Sequence, residues 1–163
     1  MPYAGELDYY LNIPGCQGES QTSGATNQIK VNSFSFGGNS VSSVDATSGS
    51  SSGKVICSDL NLDLVMDKGG PLLFQGMTKG THFATATLTG LKTAGSSPGT
   101  YFTIALTEAY VSSTQFSGQS AMPNLGISLS YNQITITYYM QSATGTLTST
   151  GSVSYSRTTQ VSS

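Results

Sequence analysis

The chain has 163 residues, a net charge of −2 and only 9% charged residues, against about 25% in ordinary soluble domains. Its six basic side chains, Lys30, Lys54, Lys68, Lys79, Lys92 and Arg157, are scattered, which leaves no face able to neutralise a run of phosphates and argues against a nucleic-acid partner. Polarity is carried instead by 48 serines and threonines, and the length is that of one domain, 1–163, able to bury a core without disulfides or metal.

In chain order, Tyr9, Leu11 and Ile13 alternate with polar neighbours over 7–13. That pattern predicts a half-buried strand, ended by Pro14-Gly15. The next stretch, "IPGCQGES", places Cys16 between two glycines and superficially matches the surroundings of a caspase nucleophile. A caspase histidine lies about 50 residues upstream of its cysteine, whereas only residues 1–15 precede Cys16 and none is His. The stretch therefore reads as a turn, because a thiol without a base to lower its pKa is unreactive.

A strand over 28–36 changes phase, its apolar set moving from Ile29 and Val31 to Phe34 and Phe36. A one-residue slip reverses every side chain, so the change predicts a bulge or a strand that leaves one sheet for another. The Gly/Ser-rich segment 37–53 reads as an extended loop, longer than the ~12–15 residues usual for an unstructured connection. A strand over 54–65 follows, in which Leu60, Leu62 and Leu64 alternate. Asp59, Asp63 and Asp67 recur every fourth residue there, without the spacing of an EF-hand loop, and read as exposed strand or loop acids. In "MDKGGPLLFQGMTKGTH", Pro71 suits a first helical turn, Leu73 and Met77 share a face, and Lys79-Gly80 reads as a stop. One short helix over 71–79 is expected.

Strands follow over 82–91, 100–112, 126–140 and 145–157. In 100–112 Phe102, Ile104, Leu106 and Tyr110 form the apolar face, interrupted by Glu108, which reads as a rim residue. The strand 126–140 changes phase from Ile127, Leu129 and Tyr131 to Ile134, Ile136, Tyr138 and Met140. The fold class is all-β, two sheets or a closed barrel, with one short α-helix.

Chemistry is hard to find in this pattern. His82 opens a strand with no partner motif and reads as structural; neither a G-x-S-x-G elbow nor a P-loop occurs, and no catalytic, metal or cofactor site is expected. Glu6 and Asp8 stand where a secretory signal would be basic, and no stretch approaches the ~20 apolar residues of a membrane span. The expectation is a protein made in the cytoplasm without membrane insertion, with Cys16 and Cys57 as free thiols.

The ordered stretches "YLNIPGCQGES", "NQIKVNSFSFG", "SGKVICSDLNLDLVMDKGGPLLFQGMTKGTHFATATLT", "YFTIALTEAYVSS" and "ISLSYNQITITYYM" resemble the hemolysin-coregulated protein (Hcp) family, the tube subunit of bacterial type VI secretion. The resemblance runs from about residue 6 to 157 and rests on Gly15, Gly18, Glu19 and Ser20 of a turn motif and on Ser33 and Phe34. Asp67, Lys68, Pro71, Gly80 and His82 around the helix and the "VSS" of 111–113 complete it. It implies a compact two-sheet β-barrel with one short α-helix, and a non-enzymatic subunit that forms homo-hexameric rings stacking into a hollow tube. It also implies a contractile sheath around the tube, a VgrG-type spike at its tip, effector cargo in the lumen, and export to the extracellular space or a target cell. Segment 37–53 aligns with the family's extended loop, which places ring-stacking contacts on Ser40, Val41, Ser43 and Val44. "ATNQ" stands where many members carry charge, so a lumen that holds cargo by hydroxyls and shape, or only weakly, is expected. The rival readings are a phage tail-tube subunit, a secreted β-sandwich adhesin or glycan-binding module, and a small hydrolase using Cys16 or His82.

Overall fold

The computed structural model describes residues 7–41, 54–92, 99–144, 146–159 and 161–163. Eleven strands and one helix follow in chain order: β1 (Leu7–Asn12), β2 (Ile29–Ser35), β3 (Gly38–Val41), β4 (Lys54–Cys57), β5 (Leu60–Val65), α1 (Gly70–Lys79), β6 (Phe83–Lys92), β7 (Gly99–Ser117), β8 (Asn124–Ser130), β9 (Gln133–Gln141), β10 (Leu147–Ser156) and β11 (Val161–Ser162).

Nine strands form one sheet in the order β11-β10-β9-β7-β6-β1-β2-β5-β8, and an additional β7–β8 pairing closes six of them into a barrel. All the inter-strand pairings are antiparallel. Closure leaves the six barrel strands without the free edge that would otherwise template aggregation. The barrel interior is packed with Leu11, Ile29, Leu60, Leu64, Leu88, Ile104, Leu106, Leu125 and Leu129, each at most 1% exposed. The helix α1 packs Leu73 into this core. Its Gly76, costly in a helix by about 1 kcal/mol, makes room for the Phe83 ring, which a Cβ there would meet at 3.0 Å and push aside. Gly80 ends the helix at φ 66°, its N–H bonded back to carbonyls of the last turn, the left-handed stop that glycine adopts without strain.

The barrel with one short helix is the architecture the resemblance implies and one of the two that the patterning leaves open, and both phase changes have structural causes. In β2 the register against β5 shifts between Val31 and Ser33, a bulge at Asn32 that turns Phe34 to the face where it meets Tyr9 edge-on at 5.1 Å. The strand expected over 126–140 is two collinear strands, β8 and β9, broken at Tyr131-Asn132. Both run antiparallel along β7, β8 beside Tyr110–Ser117 and β9 beside residues 102–107. On their outer edge, β8 pairs with β5 and β9 with β10, so the chain leaves the barrel at this break.

Three details depart from the expectations. Glu108 is not a rim interruption but a backbone device: at φ 51° it shifts the phase of β7, so Ala109 and Val111 are buried while Tyr110 is 39% exposed. The segment expected to be a loop over 37–53 begins as strand β3, hydrogen-bonded to β4 as a separate two-stranded arm, and its residues 42–53 lie outside the described residues. The strand expected over 54–65 splits at Ser58-Asp59 into β4 of the arm and β5 of the barrel.

Candidate functional site

The turn Gly15–Ser20 is stitched to two other elements. Gly18 N–H donates to Asn27 O at 2.8 Å and Ser20 N–H to Gln28 O at 3.1 Å. The Asp67 carboxylate accepts from Glu19 N–H at 3.1 Å and from Gly69 N–H at 2.8 Å, tying the turn to the start of α1. Gly18 cannot be replaced without movement, because a Cβ would lie 2.6 Å from Asp67 Oδ2 and collide with the Gln28 carbonyl. Cys16 sits in this turn 3% exposed, and burial pushes its thiol above the ordinary value, the opposite of what a nucleophile needs.

A second cluster centres on Arg157, to which the sequence reading assigned no role. Its guanidinium lies 3.9 Å over the Tyr131 ring and donates to Cys57 O at 2.7 Å, Ser130 Oγ at 2.9 Å and Asp59 Oδ1 at 3.1 Å. Asp59 also accepts from Ser112 Oγ at 2.9 Å, and Tyr131 donates its hydroxyl to Ser58 O at 2.8 Å. One cation thus fastens the β4–β5 corner, the β8–β9 break and the end of β10. Burial pushes the Tyr131 phenol up to about 12, although Arg157 pulls the other way. The signal in the sequence was compositional: this is the chain's single arginine, the residue best suited to a stacked, multidentate junction.

His82 is exposed and its ring lies 5.1 Å from that of Tyr110. Asp59, Asp63 and Asp67 are not brought together; among the described residues no group of three or more His, Cys, Asp or Glu is placed to hold a metal ion. Both cysteines carry free thiols. Of the four residues expected in stacking contacts, Ser40 is exposed on β3, Val41 pairs with Lys54 through the backbone, and Ser43 and Val44 lie outside the described residues.

The third feature is a surface. Cross-strand pairing aligns Ile29, Leu11, Leu88, Ile104, Ile136 and Val153 in one row across six strands. Directly paired residues share a face, so this row continues the barrel interior outward. Its exposure is 1% or less from Ile29 to Ile104, Ile136 is half-buried, and Val153 is 62% exposed. Tyr138 and Met140, on the same face of β9, are 48% and 58% exposed. The β9–β10 pair is an overhang whose apolar face has left the barrel that would cover it.

A family model described as "Type VI secretion system effector, Hcp" matches residues 10–138, which takes in the turn, the helix and all but the last strands of the overhang. The chain belongs to the Hcp family. Solved structures agree on the fold. One described as a type six secretion system protein has a TM-score of 0.86 at 24% identity, covering 96% of this chain and 99% of that one. Hcp1 from Salmonella typhimurium gives 0.77 at 24% identity over 98% and 100%. A type VI secretion system effector from Yersinia pestis gives 0.71 at 23% identity over 91% and 99%. No curated protein matches the chain in sequence. Within this Hcp fold, four of the motif residues that carry the resemblance, Gly18, Glu19, Asp67 and Ser112, make hydrogen bonds that join separate elements of the barrel.

Proposed function

We propose that the chain is the repeating unit of a type VI secretion tube, in which six copies close into a ring and rings stack into a hollow conduit. The observation that carries this reading is the family match across residues 10–138. The unfinished apolar row ending at Val153 supports self-association, because a contiguous exposed apolar face on a folded domain marks an interface. The β3–β4 arm, with Ser40 exposed on it and Val55 and Ile56 at 40% and 51% exposure, is suited to ring-to-ring contacts that include Ser40 and Val41, and the stacking contacts read from the family extend to Ser43 and Val44, which lie outside the described residues. In this reading the subunit performs no chemistry. It leaves the producing cell within the secretion machine, under a VgrG-type spike, driven by a contractile sheath, with effectors in the lumen.

Light scattering on the purified protein tests the reading. A hexamer of the 16.9 kDa chain has a mass of about 101 kDa, and negative-stain images of that peak should show annuli. A stable monomer at every concentration up to millimolar would overturn it.

A further inference from the structure

The large exposed apolar side chains beyond the arm fall mainly into two groups that flank opposite ends of β7. One is the overhang: Tyr138 and Met140 of β9 with Val153 of β10, beside the half-buried Ile136, paired through β9 to residues 102–107 of β7. The other is a ridge where α1 lies against the far end of β7. There Leu72, Phe74 and Phe116 are 40%, 43% and 46% exposed, and the rings of Phe74 and Phe116 meet edge-on with centroids 5.8 Å apart. The ridge cannot turn inward, since the opposite side of α1 already buries Leu73 and Gly76 and Thr114 holds Met77 at 3.6 Å from hydroxyl to sulfur.

We propose that the overhang of one subunit docks onto the α1–β7 ridge of a second copy of this chain. The inference rests on the tube-subunit reading and names its contact. A closed ring needs a heterologous interface, in which two different patches of the same chain meet; the overhang and the ridge are two such patches, on different elements and at different ends of one long strand. Their chemistry matches. The groove along the overhang is lined by Ile136, Tyr138, Thr150, Gly151, Ser152 and Val153, with no ionised group, and the ridge presents one leucine and two phenylalanines. Burying them together strands no charge, whose desolvation would oppose association. Tyr, Phe and Met, which supply both patches, are the residue types enriched at the centres of interfaces. The row Ile104–Ile136–Val153 also says what the contact completes: a second chain would extend over β9 and β10 the covering that β8 gives the other half of β7.

Two charge insertions and their mixture test the pairing. Val153→Glu disables the overhang and leaves the ridge; Phe74→Glu disables the ridge and leaves the overhang. By light scattering, each variant alone is expected to lose the ring and run as a monomer, with circular dichroism confirming that it stays folded. Mixed one to one, they have one competent contact left between them and are expected to form a dimer of about 34 kDa, twice the 16.9 kDa chain, that grows no further. Rings that persist in either variant would overturn the assignment of that patch. Two folded monomers that fail to dimerise on mixing would overturn the pairing while leaving the tube reading intact. Wild-type protein that never forms rings would remove the tube reading itself. Should a charged variant not fold, Met140→Cys and Phe74→Cys in separate chains lacking Cys16 and Cys57 replace it: a disulfide-linked dimer on mixing under oxidant is expected, and its absence overturns the pairing.

Discussion

Ile104 and Val153 stand in the same row of the same sheet face, two strands apart, yet Ile104 is 1% exposed and Val153 is 62% exposed. Both are β-branched apolar residues paired in register with β9, although Val153 follows an irregularity of β10 at Thr150-Gly151. The difference is the closure of the barrel. Along residues 110–117, β7 meets β8, which passes on to β5 and seals the core. Along residues 102–107 it meets β9, which passes on to β10 and away. One strand thus serves as barrel wall at one end and as the root of an open surface at the other.

The contrast can be broken most severely from the closed side. Ile104→Ala should cost about 2–5 kcal/mol of unfolding free energy, lost transfer energy plus a cavity that the barrel cannot collapse, read from urea melts. A cost below about 1 kcal/mol would show that the core at Ile104 is slack. At the joint between the two halves, Arg157→Met should cost about 2–3 kcal/mol by taking the guanidinium from Asp59 Oδ1 and the Cys57 carbonyl.

The same joint gives a pH signature. Tyr131, 3% exposed, has its phenol raised from 10.0 to about 12 in the fold, so the unfolded chain loses that proton first as pH rises. Stability from this group is therefore intact below about pH 10 and declines as pH climbs from 10 towards 12, by about 2–3 kcal/mol in all. Tyr131→Phe should flatten that part of the alkaline limb; an unchanged slope would assign it to another group. Smaller still, Glu108→Gly should stabilise by about 1 kcal/mol, because φ 51° strains any residue with a Cβ and is free for glycine. Val153→Ala, by contrast with Ile104→Ala, should change the unfolding of the dissociated subunit by less than about 0.5 kcal/mol while weakening ring assembly. If the isolated subunit lost as much at Val153 as at Ile104, the overhang would not be open.

The helix was legible because its signals are local: Pro71 at the start and Gly80 at the stop act within one turn of themselves. The bulge in β2 and the break at Tyr131-Asn132 were legible because a reversal of alternation cannot be accommodated in an unbroken strand. At Glu108 the same signal was present but masked, since Tyr110 is apolar enough to pass for the next buried residue while Ala109 carries the true phase. The start of β3 was hidden for a different reason: "GNSV" has little strand character of its own and pairs only because β4 returns alongside it.

The residues by themselves determined the all-β class, the one helix, the phase reversals and the family, because each is written in short-range periodicity or in ordered motifs. Which partner each half of β7 takes, that a lone arginine would fasten three distant segments, and that one end of a continuous apolar row would face solvent were decided only by the tertiary structure. These depend on which strands meet after the sheet has twisted and closed, and a side chain's exposure is set by that closure and not by its own neighbours in the chain.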